Sequence, residues 1–171
     1  MLLIILKSLY FFLPAYFANM APVLLRWIPI LEKPVNEELF GKNKTWRGIL
    51  VAIIIGSFVF SIQKILYAVG FQTLSLINYN DFSPLLGLLL GLGAILGDMI
   101  KSYYKRKHQI KAGKPWLFWD QIDFVLGGLI LSLLIYVPPP EVVLIILVFS
   151  PLLHLLVNYI GYLLKIRDVK Y

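Results

Sequence analysis

The chain has 171 residues, 60% hydrophobic and 15% charged, with a net charge of +7 and a mean hydropathy of +0.82. A soluble domain averages roughly 45–50% apolar and about 25% charged, and at about 150 residues it still exposes roughly 30% of its unfolded surface. Soluble and disordered states are thereby excluded, and the absence of cysteine removes disulfides, iron–sulfur clusters and thiolate chemistry.

A spanning helix needs about 20 mostly apolar residues, and five stretches are expected to serve. The first, 2–25, contains Pro14 and Pro22 and is expected to kink or break. Its one lysine, Lys7, lies inside the apolar run, and aromatics fill the region where small residues would mark a cleavage site; a retained span is expected. The second covers 49–69. The third covers 84–104, although its strictly apolar part ends at Leu96. The fourth, 122–137, is short, and the fifth covers 142–164. The fold class is therefore an all-α integral membrane protein of five transmembrane helices, with residues 1–171 forming a single membrane-embedded domain.

Charge alternates along the connections. Residues 26–47 carry Arg26, Lys33, Lys42, Lys44 and Arg47, whereas 70–83 carry no base and one acid, Asp81. Residues 101–120 carry Lys101, Lys105, Arg106, Lys107, Lys111 and Lys114; the turn 138–141 carries no base; the tail has Lys165, Arg167 and Lys170. Basic loops favour the cytoplasm, so the N-terminus is expected outside, the C-terminus in the cytoplasm, and loops 26–48 and 105–121 on the cytoplasmic side. The expected location is the cell membrane, multi-pass, with any active site facing the cytoplasm. No repeat, low-complexity tract or soluble domain is visible, so any chemistry falls to helix ends and loops together.

If the third helix continues, Asp98, Lys101, Ser102 and Lys105 fall at i, i+3, i+4 and i+7, on one face. An ionisable residue at that depth normally faces the bundle interior or water and points to function; the alternative is an Asp98 that pairs with Lys101 or Lys105 while the lysines snorkel. Gly87, Gly91, Gly93 and Gly97 form two GxxxG patterns on the same helix, read as close helix packing.

Asp120 and Asp123 share a face at the start of the fourth helix. An N-cap would account for Asp120, but not for Asp123 a turn deeper. Together with Asp98 they are candidate oxygen ligands for Mg²⁺, which favours one or two carboxylates plus waters and substrate phosphates. The surrounding bases would hold a polyphosphate. Before the second helix, Gly41-Lys42-Asn43-Lys44-Thr45-Trp46-Arg47-Gly48 lacks a P-loop signature, yet Lys42, Asn43, Lys44, Thr45 and Arg47 at a helix N-terminus make a reasonable anion site. The alternative is basic anchoring with Trp46 in the interface. His108 and His154 are too few for a zinc cage, and His154, near Asn158 at i+4, is expected to make an interhelical hydrogen bond.

Gly97-Asp98-x-x-Lys101-Ser102-x-x-Lys105-Arg106, then Asp120-Gln121-x-Asp123-Phe124 and Gly127, resembles the C-terminal signature of phosphatidate cytidylyltransferases. The likeness is closer to their short archaeal relatives, the CDP-archaeol synthases, which carry a loop like 41–48. That resemblance implies an enzyme using CTP and Mg²⁺ to convert 2,3-bis-O-(geranylgeranyl)-sn-glycerol 1-phosphate into its CDP derivative plus pyrophosphate. No His-Gly-Gly precedes the acid and Asp120-Gln121 replaces Asp-Arg, which makes a diacyl phosphatidate the weaker substrate.

The implied roles are catalytic for Asp98, Asp120, Asp123 and Lys101, with Mg²⁺ on the three acids. Lys101, Ser102, Lys105, Arg106 and Lys114 would hold the triphosphate, and Lys44, Thr45 and Arg47 either nucleotide or lipid phosphate. The expected partners are CTP, an isoprenoid ether lipid phosphate and the bilayer, with no nucleic acid; a homodimer is compatible with the sequence. The rivals are a small anion transporter, which would want ionisable groups near mid-bilayer and inverted repeats, and a non-catalytic subunit that binds anionic lipid. Three clustered acids disfavour the latter, because acids repel lipid phosphates unless a metal intervenes.

Overall fold

Proline and glycine decide where the helices stop and how closely they pack. A computed structural model describes residues 1–110, 114, 116 and 118–165; Lys111, Arg167 and Lys170, named above among the loop and tail bases, lie outside the described residues. The expected break in the first apolar stretch falls at Phe12, between α1 (Leu2–Phe11) and α2 (Leu13–Leu24), which meet at 50°. Pro14 sits in the first turn of α2, where its missing N–H breaks no helical bond. A short α3 (Glu37–Phe40) precedes α4 (Trp46–Ala68), and a 3₁₀ turn (Tyr79–Asp81) precedes α5 (Leu85–Lys107). Then come α6 (Trp119–Ser132) and α7 (Pro140–Leu163), the latter starting behind Pro138 and Pro139.

All these elements are helical. By length and composition α4, α5 and α7 can each cross a membrane, and α1 with α2 can do so as one bent span. The outward faces of α4 and α7 carry exposed Ile54, Phe58, Leu144 and Val148, as helices solvated by lipid tails would. Several boundaries differ from expectation. α4 begins at Trp46 because Thr45 caps it, and α5 runs on to Lys107. α6 lies earlier than 122–137: Trp119 and Asp120 add to its start, and the chain turns out of it after Ser132, whose carbonyl takes the N–H groups of Ile135 and Tyr136.

α5 is the central helix, and its two glycine pairs face different neighbours. Gly87 and Gly91 press on α4: a Cβ at Gly87 would lie 2.5 Å from the Gly56 carbonyl oxygen. Gly93 and Gly97 press on α6: a Cβ at Gly97 would lie 2.1 Å from the Asp123 carbonyl oxygen. Backbones meet there because nothing stands between them. Phe11, Phe12, Phe60, Leu90, Phe124 and Ile146 fill the core around these contacts. Away from the charged end of α5, Tyr79 is fully buried, its ring 5.3–6.0 Å from those of Phe60, Tyr67 and Tyr10. Lys64 closes that end, donating to the carbonyls of Asn80 and Phe82.

The glycine contact is directly testable. Gly87→Val drives α5 off α4 and destabilises the bundle by about 1–3 kcal/mol, expected as a lower midpoint of thermal unfolding in detergent; an unchanged midpoint would contradict the packing described.

Candidate active site

The loop before α4 folds back on itself. The Val35 N–H donates to the Lys44 carbonyl (2.8 Å), Trp46 N–H to Lys33 (3.2 Å) and Arg47 N–H to Leu31 (2.9 Å). Arg47 Nη1 fastens the turn, donating to the Ile28 carbonyl at 2.6 Å and to Glu32 Oε1 at 3.1 Å. Thr45 Oγ1 accepts from the Gly48 N–H and caps α4. Gly41 ends α3 at φ 86°, a left-handed conformation glycine tolerates best, and the Arg106 guanidinium packs 3.6 Å from where its Cβ would stand. This loop delivers Lys44 to α5, where it donates to Asp98 Oδ2.

Four charged side chains from α5 and α6 complete the cluster. Lys101 Nζ lies 2.9 Å from Asp98 Oδ1, 3.0 Å from Asp120 Oδ1 and 2.7 Å from Asp123 Oδ2. Lys105 Nζ donates to both oxygens of Asp120, at 2.9 and 3.1 Å. Asp120 does not cap α6; it sits inside the first turn, and its carboxylate reaches back to the Trp116 N–H at 2.6 Å. That N–H, together with the Lys101 and Lys105 ammoniums, satisfies the Asp120 carboxylate. Asp123 Oδ1 accepts from the Phe124 N–H, while buried Oδ2 touches Lys101 as an ion pair without the alignment of a hydrogen bond.

Three acids thus meet three lysines, the balance that burial demands, because an unpaired buried ion costs several kcal/mol. Among the described residues no three acidic or histidine side chains stand as a ready metal cage. What does exist is a centre, occupied by the Lys101 ammonium, to which oxygens of all three carboxylates point. Hard oxygen donors suit Mg²⁺, so the residues fit that ion once the ammonium moves aside.

A cavity of about 690 Å³ opens over the cluster, walled by Lys44, Arg47, Asp98, Lys101, Asp120 and Asp123. A second, of about 430 Å³, shares Asn43, Lys44, Lys101 and Lys105 and extends to Ser102 and Arg106. A third, of about 420 Å³, is an apolar groove between α2 and α7, lined by residues such as Phe17, Met20, Leu153 and Val157.

The sequence reading placed Asp98, Lys101, Lys105, Asp120 and Asp123 together, and the structure does the same. It gives other candidates local partners. Ser102 Oγ donates to the Asp98 carbonyl at 2.8 Å, Arg106 Nη1 to the Ile110 carbonyl at 2.9 Å, and Lys42 pairs with Glu37 at 3.6 Å on the surface. Lys114 is exposed at the rim of the largest cavity. The Lys44–Asp98 pair has no signal in the sequence, because it joins segments with no local pattern in common. Asn19, and His154 and Asn158 beyond the packing role expected of them, line the charged cavity as well. Polar residues inside apolar spans were the available signal. His154 stacks near Phe124 (5.4 Å) and lines the largest cavity.

The chain matches the family model described as CarS-like, CDP-archaeol synthase, over residues 1–171. It is 36% identical over 169 residues to the CDP-archaeol synthase of Pyrococcus furiosus, covering 96% of this chain and 97% of that one. It is 34% identical over 171 residues to that of Methanocaldococcus jannaschii, covering 97% of each. A solved structure described as an intramembrane enzyme for archaeal membrane lipid biosynthesis superposes with a TM-score of 0.71 at 30% identity, covering 90% of this chain and 94% of that one.

The Lys44–Asp98 pair makes a prediction that needs no activity assay. Asp98→Asn removes a charge-assisted contact of about 1.5–3 kcal/mol and releases the loop, so trypsin is expected to cut after Lys42 and Lys44 about tenfold faster or more. Asp120→Asn leaves that loop protected; equal rates in both variants would show that Asp98 does not hold it.

Proposed function

The chain belongs to the CDP-archaeol synthase family, and we propose that the cluster of Asp98, Asp120, Asp123 and Lys101 is where it carries out that family's chemistry. It is a cytidylyltransferase of archaeal membrane lipid synthesis. It joins CTP to 2,3-bis-O-(geranylgeranyl)-sn-glycerol 1-phosphate, giving the CDP-activated ether lipid and pyrophosphate. The single observation that carries the site assignment is the convergence of three carboxylates on one ammonium at the floor of a charged cavity.

A lipid phosphate oxygen attacks the α-phosphorus of CTP. The new P–O bond forms as the bond to the β-phosphate oxygen breaks, and pyrophosphate leaves with that electron pair. Such transfer asks a protein mainly for positioning and charge neutralisation. Lys101 and Lys105, which share Asp120, exchange carboxylate for phosphate oxygens as the triphosphate arrives. Lys44 does the same from the loop. No general base is required, because a phosphate monoester is already largely ionised at neutral pH (second pKa about 6). Asp98, Asp120 and Asp123 would hold Mg²⁺, which when bound neutralises charge on the phosphates. Asn43, Lys105, Arg106 and Lys114 line the walls available to the nucleotide.

The apolar groove supplies the lipid side. It shares Asn19, Val23, His154 and Asn158 with the charged cavity, so chains lying between α2 and α7 lead to a phosphate at the lysines. The charge alternation of the loops supports five spans, with the N-terminus outside, the C-terminus in the cytoplasm and α6 as the short span. The cluster then faces the cytoplasm of the cell membrane, where CTP is dissolved.

Purified protein in detergent with labelled CTP, Mg²⁺ and the diether glycerol phosphate is expected to yield a CDP-lipid and pyrophosphate. Asp98→Asn, Asp120→Asn and Asp123→Asn are each expected to lower kcat by about 10² or more while remaining folded. Retention of activity by all three would refute the assignment. Lys105→Ala raises KM for CTP more than KM for lipid. Mn²⁺, followed by its paramagnetic resonance, is expected to bind wild type with nucleotide present and to bind Asp123→Asn more weakly; equal binding would remove the acids from metal holding.

A further inference from the structure

The apolar groove and the charged cavity meet at a neck, and the residues at that neck are not apolar. Of the four shared residues only Val23 is; the others are Asn19 on α2 and His154 and Asn158 on α7. Elsewhere the groove is lined largely by leucine, valine, phenylalanine and methionine. Two carboxamides placed inside apolar helices are costly unless they have a partner, and Asn158 is buried at 4% exposure. A packing role alone does not explain why they cluster where one kind of lining gives way to the other.

We propose that Asn19 and Asn158 recognise the glycerol segment of the lipid, their amide N–H groups donating to its ether oxygens. This rests on the cytidylyltransferase reading above. A lipid with its phosphate at Lys44 and Lys101 and its chains between α2 and α7 must pass its glycerol through the neck. The glycerol ether oxygens are acceptors without a donor, and a carboxamide N–H is a matching uncharged donor. A charged donor at the neck would capture the phosphate itself; among the lining residues the lysines stand on the cavity side, and none lines the groove. Two donors from opposite walls fix how far the lipid slides, and so the reach of its phosphate toward α5. Tyr16, fastened to Ser150 at 2.6 Å, ties α2 to α7 beside the groove and holds the two walls in register.

Asn19→Leu and Asn158→Leu keep the branching of the side chain and remove the donors. Each is expected to raise KM for the diether glycerol phosphate about tenfold, the worth of one hydrogen bond and the acceptor left unpaired, with KM for CTP within about twofold of wild type. An unchanged lipid KM, or a fall in kcat with both KM values unaltered, overturns the assignment. So does a parallel rise of both KM values, which would mark a disturbed fold. Photolabelling of wild type decides the matter without variants. A diether glycerol phosphate bearing a diazirine on the chain carbon next to the ether oxygen is expected to label α2 around Asn19 and α7 around Asn158. Labelling confined to other helices overturns the proposal. Failure of wild type to make any CDP-lipid would instead count against the cytidylyltransferase reading.

Discussion

Charge brought out of water must be paired, and this requirement organises the molecule. Asp98, Asp120 and Asp123 come from two helices, and their oxygens share the Lys101 ammonium within 3.0 Å. Lys44 and Lys105 complete the balance from either side. Breaking such a pair is far more costly than never having made it, since the remaining ion stays buried. The charges balance one another without substrate, and each lysine can exchange one oxygen partner for another as phosphates enter.

That balance depends on backbones that touch. α6 can bring Asp123 against α5 because Gly97 leaves no Cβ at the crossing, and Gly93 does the same one turn earlier. On the other side Gly87 and Gly91 let α4 approach, and α4 carries at its N-terminus the loop that presents Lys44. Without a hydrophobic drive between helices in lipid, such close van der Waals contact supplies much of the association. The glycines therefore position the chemistry as well as the fold. The apolar groove between α2 and α7 shares Asn19, Val23, His154 and Asn158 with the charged cavity. A reaction joining a dissolved nucleotide to a lipid needs both environments within one molecule.

The membrane setting, the helices and the chemical character of the site were legible in the sequence, because hydropathy, helix periodicity and proline act over a few residues. Asp98, Lys101 and Lys105 share a face by helical spacing alone, and Pro14 foretold the break in the first stretch. Boundaries were less legible: α6 lies earlier than its apolar run, since Asp120 belongs to the helix through a contact with Trp116. Composition by itself determined that this chain suits a lipid bilayer, and the order of its charges that bases and acids gather at helix ends. Only the tertiary structure decided that Lys44 meets Asp98 across 54 residues, that Arg47 fastens a loop, and that Asn19 and Asn158 stand at a neck. Those pairings arise from helices packed face to face, and no local pattern encodes which faces touch.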